Sequence, residues 1–223
     1  MVEPGFSIRD YYRMYKSRGL RLPVYYFFEN HLFDLLNNTD THVWLPKIHY
    51  SEKPKNFSDG VFYMSSWTSV VKESTKKALM MLSEKENIQL IDIGCGKGKV
   101  LCIWERMFKK SKVRIVGVEY SEELIRISKK NLEILKSKNT SLFKMDALDL
   151  DPVSIEDNLL IYIYNPFSDN ILDKFLKKIE LKTVAIVYIN PVHKKCFKKY
   201  NFNLTHRNKG WHPNACYNIY TNF

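Results

Sequence analysis

The 223-residue chain has only four cysteines (Cys95, Cys102, Cys196 and Cys216), far apart and without a CxxC pair. That excludes a disulfide framework and a cysteine-ligated zinc site, and reads as reduced thiols of an intracellular protein. Six histidines (His31, His42, His49, His193, His206 and His212) show neither HExxH nor paired metal spacing, so no metal is expected. No run approaches the roughly 20 apolar residues of a membrane-spanning helix. Glu3 and Pro4 stand where a signal peptide would carry a basic start, so the expectation is a cytoplasmic protein with no membrane partner. Acids are in deficit, 24 against 35 basic residues, leaving a formal charge of +11 that favours an anionic partner. Repeats and low-complexity tracts are absent. What remains is 45% hydrophobic and 26% charged, a globular composition whose length suits one elaborated domain with its own core.

Residues 1–60 are aromatic and irregular, and two short helices fit at 9–17 and 24–36, followed by a loop with Pro46, Pro54 and Asp59-Gly60. Apolar spacing at Val70, Val71, Ala78, Leu79 and Leu82 predicts an amphipathic helix over 68–83. Strands and helices then alternate: strands at 89–93, 113–118, 141–144, 159–164 and 184–189, helices at 97–108, 121–138 and 169–179. Residues 202–206 and 217–221 can close the sheet as an antiparallel pair. This alternation predicts an α/β fold, a mostly parallel Rossmann-like sheet flanked by helices, behind an aromatic-rich helical N-terminal extension.

Glycine is scarce, eight residues in all, yet three fall in Gly94-Cys95-Gly96-Lys97-Gly98, after a strand and before a helix. Backbone without side chains lets a ligand approach closely, and the free amides of a helix N-terminus are expected to point toward it. Lys99 stands where a dinucleotide fingerprint needs its third glycine, and Lys99-Val100 replaces the Lys-Ser/Thr of a P-loop. What stands here is Asp92-x-Gly94-x-Gly96-x-Gly98. Over Leu90 to Gly98 this resembles motif I of class I S-adenosylmethionine-dependent methyltransferases, and the resemblance extends over residues 60–189. It implies S-adenosylmethionine as cofactor and S-adenosylhomocysteine as product. It also implies that Glu119, ending the second strand, accepts the ribose hydroxyls, and that Asp146, after the third, bonds the adenine amino group. With these acids it assigns Tyr63, Ser66, Gly94, Cys95, Gly96, Gly98, Tyr120, Ala147 and Asn165 to the cofactor pocket, beside Asp92. The division it suggests is an extension over 1–60, a lid or acceptor-binding segment, and a methyltransferase domain over 61–223.

The fourth strand ends in Tyr164-Asn165-Pro166-Phe167, which resembles a shortened (Asp/Asn)-Pro-Pro-(Tyr/Phe) motif of methyltransferases acting on planar nitrogens. By that resemblance Asn165, Pro166 and Phe167 are the catalytic residues, Asn165 orienting the attacking nitrogen and Phe167 giving an aromatic face to the sulfonium or the acceptor. The upstream segment Gly60-Val61-Phe62-Tyr63-Met64-Ser65-Ser66 is similar, more loosely, to small non-SET lysine methyltransferases. From residue 174 onward ten basic residues face one acid, Glu180, a region suited to RNA or to an acidic protein surface. The reading is therefore N-methylation of a macromolecule, with protein lysine slightly ahead of RNA. A small-molecule acceptor and a non-catalytic cofactor-binding protein remain as alternatives. Oligomeric state has no signature in the sequence.

Overall fold

The computed structural model describes residues 7–44, 63–151 and 154–223. Seven strands form one sheet: β1 (Ile88–Ile93), β2 (Arg114–Glu119), β3 (Thr140–Lys144), β4 (Asn158–Ile163), β5 (Thr183–Ile189), β6 (Asn203–Asn208) and β7 (Tyr217–Thr221). Their order is β3-β2-β1-β4-β5-β7-β6, and β7 alone runs antiparallel to its neighbours. Three helices of the N-terminal extension precede β1, α1 (Ile8–Arg18), α2 (Arg21–Tyr26) and α3 (Leu32–Asn37). Four more flank the sheet, α4 (Thr68–Met81), α5 (Lys99–Met107), α6 (Glu122–Ile134) and α7 (Asp169–Ile179). The expected α/β architecture is the observed one.

The central strands read almost wholly apolar because both of their faces are covered. Alternation along the strands divides their side chains between two cores. Leu90, Leu160, Tyr162 and Val187 pack with Val71 and Ala78 of α4 and Leu101 and Trp104 of α5. Ile91, Ile93, Ile161 and Ile186 pack with Leu172, Phe175 and Leu176 of α7. α7 buries Ile171, Leu172, Phe175, Leu176 and Ile179, a stripe at the 3.6-residue period, and its bounds are those its sequence predicts.

Other boundaries move for local reasons. α5 starts at Lys99 instead of 97 because Gly94, Gly96 and Gly98 all hold positive φ, so the turn unwinds through Gly98. α6 stops at Ile134, short of 138, where Lys136 reverses the chain at φ 53°. The helix expected over 24–36 is a contiguous run of α2, a widened π turn at Phe27–His31, and α3. α3 ends on Asn38 in the left-handed conformation. The proline-containing loop expected after it, and the boundary at 60/61, lie outside the described residues. Among the described residues no helix is long and apolar enough to cross a membrane.

The chain runs from β1 outward to β2 and β3, then returns to β4 on the other side of β1. That reversal opens a crevice at the carboxyl ends of β1 and β4, where open parallel sheets take their ligands.

Candidate functional site

The crevice is a cleft lined by Gly94, Val118, Glu119, Tyr120, Met145, Asp146, Ala147, Pro166, Phe167 and Ile171. Seven sequence-nominated residues meet there: Gly94, Glu119, Tyr120, Asp146, Ala147, Pro166 and Phe167. Among the described residues its charges are two carboxylates and no cation, against apolar walls from Val118, Met145, Phe167 and Ile171. Such a cleft repels a phosphate and accepts hydroxyls, amino groups and a flat apolar ring. The Asp146 carboxylate caps the short turn after β3, accepting from the Leu148 amide at 2.9 Å, and its turn thus faces the cleft at a fixed height.

Glu119 and Asp92 sit on neighbouring strands, and both are buried. The Glu119 carboxylate accepts the Gly96 amide on one oxygen and the Ser121 amide on the other, each at 3.0 Å. Burial raises its pKa, and those hydrogen bonds oppose the rise. Asp92 is 3% exposed and has no hydrogen-bond partner among the described residues. Burial, and then the charge of Glu119, push its pKa far above the usual carboxylate range. A carboxyl group in that setting either keeps its proton or is matched by a cation or donor that a ligand brings.

Four amides of the glycine turn are taken up internally: those of Gly94 and Cys95 donate to the Val118 carbonyl, at 2.8 and 3.0 Å, Gly96 to Glu119, and Gly98 to the Cys95 carbonyl at 2.8 Å. The turn offers a ligand close approach and a fixed shape. Gly96 has φ 54°, and a Cβ there would lie 2.1 Å from the Tyr63 ring, so only glycine fits. Tyr63 is buried over this turn and donates to the Thr41 carbonyl at 2.6 Å. Cys95 packs in the core, Gly98 lies against Ser128 of α6, and Ser66 is buried just ahead of α4, whose N-cap is Trp67. These three, with Tyr63, Asp92, Gly96 and Asn165, are outside the cleft lining.

Asn165 follows β4 at φ 41°, a left-handed conformation that asparagine tolerates. Its Oδ1 accepts the Tyr188 hydroxyl at 3.0 Å, and that hydroxyl accepts the His193 amide at 3.2 Å. Burial pushes Tyr188 up to about 12, so its proton stays in place to hold Asn165. Tyr188 was invisible as a site residue in the sequence, where it is one apolar strand residue among many. A Cβ at Gly94 would fall 2.9 Å from Pro166 Cβ, so the turns after β1 and β4 touch.

Sequence reasoning also passed over the two lysines of the glycine turn. Lys97 is 4% exposed in its side chain and holds both Asp40 oxygens at 3.0 Å. Lys99 is buried, donating to the Glu29 carbonyl at 2.7 Å and Asn30 Oδ1 at 2.6 Å. Glu29 and Asn30 lie in the π turn, whose altered register presents the Glu29 carbonyl to Lys99 and also to Thr68 at 2.6 Å. Asn131 of α6 donates to the carbonyls of Asp40 and Lys97, at 3.0 and 2.9 Å, and accepts the Asp40 amide at 2.9 Å. Asp34, buried, gathers Thr39, Thr41 and His42 around its carboxylate and so shapes the segment that reaches the turn.

Residues 84–197, just over half of the chain, match the profile of a family described as a methyltransferase domain. An uncharacterised protein of Rickettsia prowazekii is 32% identical over 94 residues, 41% of this chain and 37% of that protein. The release factor glutamine methyltransferase of Buchnera aphidicola is 31% identical over 98 residues, 42% of this chain and 35% of that protein. The aligned part thus spans little more than a third of either relative. Among solved structures, a mutant of MtNAS in complex with S-adenosylmethionine superposes with a TM-score of 0.54 at 12% identity, over 69% of this chain and 61% of that one, a likeness of fold. On the family match, joined to the β3-β2-β1-β4-β5-β7-β6 sheet and the cleft at its switch point, the chain belongs to the methyltransferase domain family.

Proposed function

We propose that the protein is an S-adenosylmethionine-dependent methyltransferase acting on a nitrogen of a macromolecular acceptor. One observation carries the reading: Asp92, Glu119 and Asp146 stand at or just past the ends of three adjacent strands, β1, β2 and β3, Glu119 and Asp146 lining a cleft that has no cation among the described residues and Asp92 buried behind it. As acceptors they fit a ligand with an ammonium, ribose hydroxyls and an adenine amino group, and disfavour any nucleotide carrying phosphate.

When bound, the cofactor supplies a methyl group on a sulfonium, already a good leaving group. The protein's part is alignment and removal of water. Asn165, fixed by Tyr188, keeps a lone pair of Oδ1 for the N–H of the incoming nitrogen. Among the described residues no carboxylate or imidazole side chain bonds Asn165. A site that orients without a strong base favours a nitrogen that is neutral on arrival, a nucleobase or amide, over a lysine ammonium. Protein lysine, for which the segment around Tyr63 spoke, then requires deprotonation by solvent.

Two measurements test this. Calorimetry with S-adenosylhomocysteine should show stoichiometric binding. Radiolabel from the cofactor should enter a macromolecular fraction of a cell lysate that nuclease or protease removes. Asn165→Ala should keep cofactor affinity within about twofold and lower turnover about 100-fold. A fully active Asn165→Ala protein would remove the β4 end from the mechanism, and absence of cofactor binding at saturation would end the proposal.

A further inference from the structure

The basic residues that crowd the last 50 positions do not form one patch. Lys178 donates to the Leu148 carbonyl, Lys182 pairs with Asp157 ahead of β5, and Lys199 pairs with Asp173. Three others gather elsewhere. Lys194 follows β5, Arg207 is in β6, and Lys209 follows β6; all three are exposed and line one open groove. Among the described residues they make no ion pair and no acid lines the groove. Trp211 forms its aromatic wall and carries the Arg21 guanidinium 4.3 Å over its ring.

Position gives this groove its meaning. β5 and β6 end, and β7 begins, on the edge of the sheet where β1 and β4 end, since Ile189 and Asn208 both pair with Tyr217. Tyr188 ties the two regions together, bonding Asn165 on one side and the His193 amide, beside Lys194, on the other. An acceptor lying in the groove would therefore reach toward Asn165.

We propose that this groove binds the phosphodiester backbone of single-stranded nucleic acid and delivers its base to the Asn165 end of the cleft. The acceptor role rests on the methyltransferase reading; the binding itself does not. Three unpaired cations beside an aromatic wall suit phosphates alternating with flat rings. They would repel a lysine-rich peptide, and they match a site that orients a neutral nitrogen.

The test is fluorescence anisotropy of a labelled 20-nucleotide uridine RNA, with polyglutamate of equal length as competitor. The triple variant Lys194→Glu, Arg207→Glu, Lys209→Glu is set against Lys109→Glu, Lys110→Glu, Lys112→Glu, which makes the same charge change on exposed residues ahead of β2. The groove variant should lose at least about tenfold in RNA affinity, and its log-affinity against log-salt slope should fall by about 2. The control variant should stay within about threefold. A neutralising triple with glutamine at 194, 207 and 209 should lose affinity in the same direction. Equal losses in groove and control variants overturn the proposal, as does polyglutamate displacing RNA at an equal or lower charge concentration, which would point to an acidic protein. S-adenosylhomocysteine binding is measured on the same samples. RNA binding that maps to the groove in a protein that binds no cofactor would uphold the groove and remove the methyltransferase reading.

Discussion

Two buried carboxylates on adjacent strands play different parts, and substitution separates them. Asp92 has no hydrogen bond among the described residues and feels the charge of Glu119, so in the free protein it is a destabilising group. Its folded pKa lies above the unfolded value, so the native state holds the extra proton and stability falls as pH rises above the ordinary aspartate range. Asp92→Asn should therefore raise the melting temperature of the cofactor-free protein at pH 7. The gain should shrink toward pH 4, while affinity for S-adenosylhomocysteine drops. An equal melting shift at both pH values would contradict the assignment. Burial raises the Glu119 pKa as well, but substitution there acts oppositely on stability, because its oxygens hold the Gly96 and Ser121 amides. Glu119→Ala leaves both donors unmatched, and should cost roughly 1–3 kcal/mol of folding stability together with cofactor affinity. Urea unfolding and calorimetry on the same protein read both effects.

Among the elements, the π turn and α5 form a joint that titrates. Burial lowers Lys99 to about 7, and a neutral amine still has the two protons its contacts with Glu29 and Asn30 require. With the folded pKa below the unfolded value, the unfolded chain binds more protons between about pH 7 and 10, so this residue makes stability rise across that window. Lys99→Met should flatten the rise, as denaturant midpoints at pH 7 and pH 9.5 would reveal; an unchanged slope would place the charge elsewhere. Nothing in the sequence announced this joint. Strands β1, β4 and β5 were legible as continuous apolar runs and α7 as a clean stripe, since burial imposes those periods. The glycine turn was legible because scarce glycines cluster for a reason. The burial of Lys97 and Lys99 was not legible, because a lysine's burial depends on what packs over it, here a segment 57 to 70 positions away in sequence. Tyr188 was hidden likewise: its strand announces burial, and only the register with β4 sets its hydroxyl at Asn165.

At the scale of the molecule, the aromatic extension is fastened to the glycine turn and not merely laid over the sheet. Lys97 reaches Asp40, Lys99 reaches the π turn, Tyr63 reaches Thr41, and Asn131 ties Asp40 to Lys97 from α6. Removing the extension would strip partners from two buried lysines and a buried asparagine, a cost that the remaining domain would have to bear in unmatched polar groups. The expected behaviour is a single cooperative transition. Near-ultraviolet circular dichroism, which weighs the tyrosines and tryptophans clustered in and beneath the extension, should melt with the far-ultraviolet signal of the sheet and helices. Asn131→Leu removes three hydrogen bonds at this junction, about 2–3 kcal/mol. It should lower both transitions together by roughly 5–10 °C. If the aromatic signal fell first and the far-ultraviolet signal held, the extension would be a separately folding lid and the anchoring at Asn131 would carry no weight in stability.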